Sequence, residues 1–144
     1  MPYLNLKLIE SKKLDRAEVE SAAADSARGA DHIARVYTRS QLQQGRVEPD
    51  AIGHAVALGF FGPRSGDLLI VPEPYYLFEA SGTSHGTPYD YDNHVPVIFC
   101  GPQIKPGTYT NRIVVNDVAP TLARILGVET PTASIGRVLS EILN

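Results

Sequence analysis

The chain has 144 residues, 43% of them hydrophobic and 20% charged, with a net charge of −3. That composition describes one globular domain or a piece of a larger one, long enough to bury about two thirds of the surface an unfolded chain would expose. With no basic run, no apolar stretch near the ~20 residues that cross a bilayer and a polar, alternating start (MPYLNLKLIESKK), the sequence argues against nucleic-acid binding, membrane insertion and a cleaved leader.

In chain order, Leu4, Leu6 and Leu8 alternate with Asn5 and Lys7, the pattern of a half-buried strand over residues 3–9. Asp15 with Glu18 three residues on marks a helix start. The helix turns Val19, Ala22, Ala23, Ala27 and Ala30 inward, and Gly29 helps end it. Residues 32–39 (HIARVYTR) predict a second strand, and Ser40 caps a short turn closed by Gly45. Pro49-Asp50 opens another helix with Ile52, Ala55, Val56 and Phe60 inward. After GPRSG, the run DLLIVPEPYYLF predicts a third strand, broken by Pro72 and Pro74. Residues 3–78 thus read β-α-β-α-β.

Further on, VPVIFC (residues 95–100) is a continuous apolar run suited to a strand buried on both faces. Its last residue, Cys100, is the single cysteine, which excludes an internal disulfide and predicts a buried, inert thiol. A turn-rich segment follows. Asn116 or Asp117 then caps a helix with Val118, Leu122, Ile125 and Leu126 inward and Gly127 at its end; Pro120 falls in the first turn, where it is tolerated.

The chemistry concentrates in GTSHGTPYDYDNHVP (residues 82–96), which holds two of the four histidines. GTSHG fits the G-x-S-x-G elbow of serine hydrolases, but that elbow needs a strand before the serine and a helix at once after it. Here Pro88 and a Tyr/Asp/Asn run follow, and the only downstream histidine is His94, so Ser84 is not read as a nucleophile. His85 admits two readings. It is either an ordinary polar loop residue or a metal ligand, closely flanked by Gly82 and Gly86, with Asp90 and Asp92 near enough in sequence to hold the other ring nitrogen. A zinc site needs three or four protein ligands, and the other two histidines, His32 and His54, have no carboxylate or cysteine at ligand spacing.

The succession YLNLKLIESKKLDRAEVE, ARVYTRSQL, SGDLLIVPEPYYLF, GTSHGTPYDYDNHVPVIFCGPQIKPG and VVNDVAPTLARILGV resembles the C-terminal part of one group in the alkaline phosphatase superfamily, the type I phosphodiesterase/nucleotide pyrophosphatase-like family with its bacterial alkaline phosphatases. The resemblance implies an α/β enzyme that hydrolyses phosphate esters with two zinc ions and a Thr or Ser nucleophile. It implies that His85 completes the first zinc site, with His94 the weaker claimant in a supporting role. The nucleophile and the remaining ligands would lie upstream, leaving no catalytic residue in this chain and giving Ser84 and Thr87 no such role. Residues 1–78 would be a cap or substrate-side α+β subdomain. Residues 79–144 would supply the metal loop, a central-sheet strand and its covering helix.

On this reading the chain is the C-terminal segment of a zinc-dependent phosphate-ester hydrolase, a phosphomonoesterase or else a phosphodiesterase/nucleotide pyrophosphatase, and is inactive alone. Its partners would be the phosphate-ester substrate and the N-terminal catalytic part of the same protein, and the isolated segment would self-associate through the uncovered VPVIFC strand. The family is usually periplasmic or secreted; the residues themselves do not fix a compartment. The competing reading is a stand-alone, non-catalytic α+β interaction module whose histidine loop is only a tight turn.

Overall fold

The computed structural model describes residues 2–144, which form two compact units divided between Val95 and Pro96. The fold is α+β with one two-stranded sheet.

The first unit begins with a helix, α1 (Leu6–Ser11), where alternation predicted a strand. Two local facts explain the difference. The Asn5 side chain accepts from the Leu8 N–H at 3.0 Å, capping a helical turn. Leu6 and Leu8 both remain about half exposed, so their alternation marks no buried face; only Ile9 in α1 is buried.

Helix α2 (Arg16–Arg28) starts where the sequence predicts: the Asp15 carboxylate accepts from the Glu18 N–H at 2.9 Å, and Gly29 follows its last residue. Its buried line is rotated from the expected one, with Glu20 and Ala24 innermost and Ala22 and Ala30 exposed. An alanine stripe carries little apolar drive, so a polar group sets the rotation. Glu20, 2% exposed, takes the Ser40 N–H at 3.2 Å, the Ser40 hydroxyl at 2.7 Å and Arg16 Nε at 3.3 Å.

Strand β1 (Ile33–Thr38) runs into the short helix α3 (Arg39–Gln43), whose first turn is closed by a Thr38/Gln41 capping box. Helix α4 (Ala51–Gly59) is capped by Asp50, and strand β2 (Leu68–Pro72) returns antiparallel to β1 with Val36 opposite Ile70 and Thr38 opposite Leu68. Side chains alternate across this hairpin. Val36 and Leu68 pack against Ala24 of α2 on one face, while Tyr37 and Val71 pack against Val56 of α4 on the other. Each fully buried aliphatic side chain of this kind contributes about 1.5–3 kcal/mol.

Ionic contacts lock the layers. Buried Asp67, just before β2, takes Arg16 of α2 at 2.9 Å, Arg39 of α3 at 3.0 Å and the Leu4 N–H at 2.8 Å. Arg39 also donates to the carbonyls of Gly62 and Ser65. On the other face Tyr37 donates to Glu48 at 2.6 Å, and Arg35 pairs with Asp50 at 2.6 Å. The Arg35 guanidinium holds the Asp50 carboxyl down at about 2.

After the short helix α5 (Asp90–Asn93) of the first unit, helix α6 (Val118–Leu126) of the second unit follows a 3-10 turn at Val115–Asp117 and ends at Gly127 with φ 66°. Its hub is polar. The Thr121 hydroxyl donates to the Asp117 carbonyl at 2.6 Å and accepts the Leu139 N–H at 2.9 Å. The Asp117 carboxylate takes the N–H groups of Val114 and Arg137 at 3.0 and 2.9 Å. This hub fixes the rotation of α6, burying Pro120, Thr121 and Ala123; Leu122 and Leu126, expected inward, are exposed.

The VPVIFC run is not a strand. Among the described residues the one sheet is β1–β2, so residues 95–100 have no ladder partner; Ile98 is 86% exposed, and Cys100 is exposed rather than buried. A run built for burial on both faces needs neighbours on both faces. From Pro96 on, this run begins the second unit, which is divided from the first between Val95 and Pro96. The histidine loop is tied back to the hairpin by the contacts described next.

Candidate functional site

Between β2 and the one-turn helix α5 (Asp90–Asn93) the chain forms the loop that carries His85. Gly82 and Gly86 adopt φ of 107° and 90°, conformations in which a β-carbon is strained, so both bends around His85 depend on glycine. His85 is exposed and lines a cleft of about 950 Å³. Ser84, Gly86 and Thr87 share its wall with Val71, Phe78 and Asn93. The cleft lies wholly within the first unit.

The loop is anchored at three points. The Asp92 carboxylate accepts the Thr87 N–H at 2.6 Å. The Tyr89 hydroxyl donates to the Pro72 carbonyl at the end of β2 at 2.7 Å. The Tyr91 hydroxyl accepts the Tyr75 N–H at 3.0 Å, and the two rings stack with centroids 4.4 Å apart. The Thr87 backbone N–H holds the Asp92 carboxyl below its usual range, and the neighbouring His85 adds to the effect.

The sequence placed Asp90 or Asp92 on the ring of His85. The Asp92 carboxylate instead grips the backbone two residues past the histidine, and the Asp90 carbonyl takes the His94 N–H at 2.8 Å. His94 caps the C-terminus of α5 and is exposed. His32 lies just before β1 with φ 63°, its Nδ1 3.0 Å from Glu73 and its ring stacked on Tyr76 at 3.9 Å. His54 is exposed on α4. Ser84 has neither a strand before it nor a helix directly after it, since α5 begins only at Asp90. That geometry does not make a nucleophile elbow.

Sequence reasoning missed the tyrosine tethers. The available signal was the alternation Tyr89-Asp90-Tyr91-Asp92, which sets both phenols on one turn and leaves the second carboxylate free to reach back. The two zinc ions implied by the resemblance would need further ligands from outside these residues. Among the described residues no group of three or more His, Cys, Asp or Glu side chains is placed to hold a metal ion.

No family model matches the chain. It is similar to a protein of Myroides odoratus named calcium-transporting ATPase, 31% identical over 144 residues, covering 98% of this chain and 26% of that protein. Alkaline phosphatase PafA of Elizabethkingia meningoseptica is 26% identical over 143 residues, again covering 98% of this chain and 26% of the relative. The crystal structure of wild-type PafA superposes with a TM-score of 0.83 at 24% identity, over 99% of this chain and 28% of that one. Over nearly its whole length the chain is similar to alkaline phosphatases.

The chain spans about a quarter of the length of the curated relatives it matches. Its fold is the one PafA carries over the matched region. Among the described residues of the segment, no helix is long and apolar enough to cross a membrane.

Proposed function

We propose that this chain is the C-terminal segment of a zinc-dependent phosphate-ester hydrolase acting first on phosphomonoesters, and that His85 is a ligand of its first zinc ion. The observation that carries the reading is the similarity to alkaline phosphatases, which runs through 98% of the chain while taking up only 26% of PafA. The position of His85 supports it: the imidazole is exposed at a cleft, between two glycine bends, with a carboxylate close by. Alkaline phosphatases work with bound metal ions. When bound, two metal ions activate the attacking oxygen and stabilise the leaving one. The contribution of this chain would be to hold a neutral imidazole at a fixed place and to wall one side of the cleft. In this proposal residues 1–78 are the cap or substrate-side part and residues 79–144 belong to the catalytic core, with the exposed run 95–100 meeting the rest of the polypeptide. His94 is assigned support of the loop rather than metal.

The test compares the 144-residue segment with the longer polypeptide that contains it, using p-nitrophenyl phosphate. The longer polypeptide is expected to turn the ester over, to lose activity on chelation and to regain it with zinc; the segment is expected to show none. Zinc-stimulated turnover by the segment alone, lost in His85→Ala, would overturn the claim that it is incomplete. Full activity of the longer polypeptide in chelator would overturn the metal reading.

A further inference from the structure

We propose that Asp92 is a positioning residue for His85: by gripping the Thr87 N–H it closes the loop and fixes the place of the imidazole before any metal binds. The proposal rests on the reading of His85 as a metal ligand.

The argument starts from freedom. His85 lies between two left-handed glycines, Gly82 and Gly86, and glycine loses more conformational entropy on ordering than any other residue. A histidine on such a segment would have to be ordered at the moment of binding, which weakens affinity unless something else orders it first. Asp92 is the group that does so. Its 2.6 Å bond to the Thr87 N–H closes the six residues 87–92 and ends one residue past the second glycine. An ionised acceptor on a backbone N–H makes one of the stronger protein hydrogen bonds.

The anchor is itself hydrogen-bonded in place. Asp92 stands on α5, whose first turn is closed by the Tyr89 carbonyl taking the Asp92 and Asn93 N–H groups at 2.9 and 3.0 Å. Tyr89 binds that turn to Pro72 at the end of β2, and Tyr91 binds it to Tyr75 in the turn just beyond. The chain of support therefore runs from the sheet through two phenols to α5, through one carboxylate to Thr87, and so to His85. Partners that orient a metal-bound histidine usually hold its second ring nitrogen. Asp92 acts on the backbone instead, so its effect depends on its oxygen as an acceptor more than on its charge.

That difference makes the test. In the longer polypeptide, zinc affinity is measured for wild type, His85→Ala, Asp92→Ala and Asp92→Asn, and hydrogen exchange of the Thr87 amide is followed in the metal-free protein. Asp92→Ala should speed Thr87 exchange while leaving the Tyr37 and Val71 amides protected, and should weaken zinc about 10–100-fold, the range for a lost supporting partner. Asp92→Asn, which keeps an acceptor oxygen, should restore most of both. If His85→Ala empties the site while Asp92→Ala changes neither zinc affinity nor Thr87 exchange, the positioning role is wrong and the ligand assignment stands. If His85→Ala leaves zinc unchanged, the ligand assignment falls and this proposal with it. If Asp92→Asn is as damaging as Asp92→Ala, the charge matters rather than the backbone grip, and the proposal is also overturned.

Discussion

Asp67→Ala should destabilise the first unit by about 3–5 kcal/mol, because breaking one side of a buried ion pair leaves charge without a partner. Asp67 is 3% exposed and joins Arg16 and Arg39 to the Leu4 N–H, so its loss unpins α2, α3 and the segment leading into α1 together. Arg16, whose side chain is 46% exposed, can turn to water; Arg39, 16% exposed, cannot easily do so. The lower end of the range is therefore the better expectation. Against a usual stability of about 5–15 kcal/mol this is a large fraction. Urea unfolding should show a lower midpoint with little change in slope; a shift under about 0.5 kcal/mol, typical of surface substitutions, would contradict the account.

The same carboxylate gives a pH signature. Burial pushes the Asp67 carboxyl up, but the Leu4 N–H, Arg39 and Arg16 outweigh it and hold it below its ordinary 3.8. A folded value below the unfolded one means stability that is complete above the unfolded value and is lost as pH falls through it toward the folded one. Asp67→Ala should accordingly flatten the acid side of the stability profile, below about pH 4. A variant as acid-sensitive as wild type would place the acid-labile groups elsewhere, with the Asp50–Arg35 pair the next to try.

Gly136→Ala should disrupt the second unit. A β-carbon on Gly136 would come within 2.0 Å of the Asn116 carbonyl oxygen and 2.7 Å of the Asp117 nitrogen, both rigid backbone. Relief requires the 135–139 segment to move off the 3-10 turn, which breaks the bonds from Arg137 N–H to Asp117 and from Leu139 N–H to Thr121. Those two bonds and the small core of Ala123, Leu139 and Ile142 are most of what holds α6 down. The expected result is loss of amide protection across Val118–Leu126, with the β1–β2 amides unaffected. Protection of α6 equal to wild type would show that the contact at Gly136 is not the constraint described.

What could be read from the sequence was whatever local chemistry decides. Asp15, Asp50 and Gly127 mark helix ends because a cap acts within three residues of itself. Pro72 ends β2 for an equally local reason. The errors share another cause. An apolar pattern reports which residues could be buried, and says nothing about whether a neighbour is there to bury them. Leu4, Leu6 and Leu8 alternate without a partner strand, and an asparagine cap makes them helical. VPVIFC has the composition of a central strand and lies exposed. Leu122 and Leu126 face outward because Asp117 and Thr121, which look like surface residues in the sequence, set the rotation of α6.

At the site, His85 stood out because glycines and carboxylates crowd around it in a short stretch. The grip of Asp92 on Thr87 did not, because a bond from a side chain to the backbone leaves no pairing of residue types to recognise. Nor did the contact of His32 with Glu73, since a separation of 41 residues hides it until the hairpin forms.

The central claim is that His85 is a metal ligand of a phosphate-ester hydrolase, and zinc stoichiometry in the longer polypeptide tests it most directly. His85→Ala and His94→Ala are purified in parallel, and bound zinc is counted after dialysis against low-affinity chelator. The account predicts that His85→Ala loses the first zinc ion with the fold intact, because the imidazole is exposed and packs into no core, whereas His94→Ala keeps its zinc. A full complement of zinc in His85→Ala, or an empty site in His94→Ala alone, would contradict it.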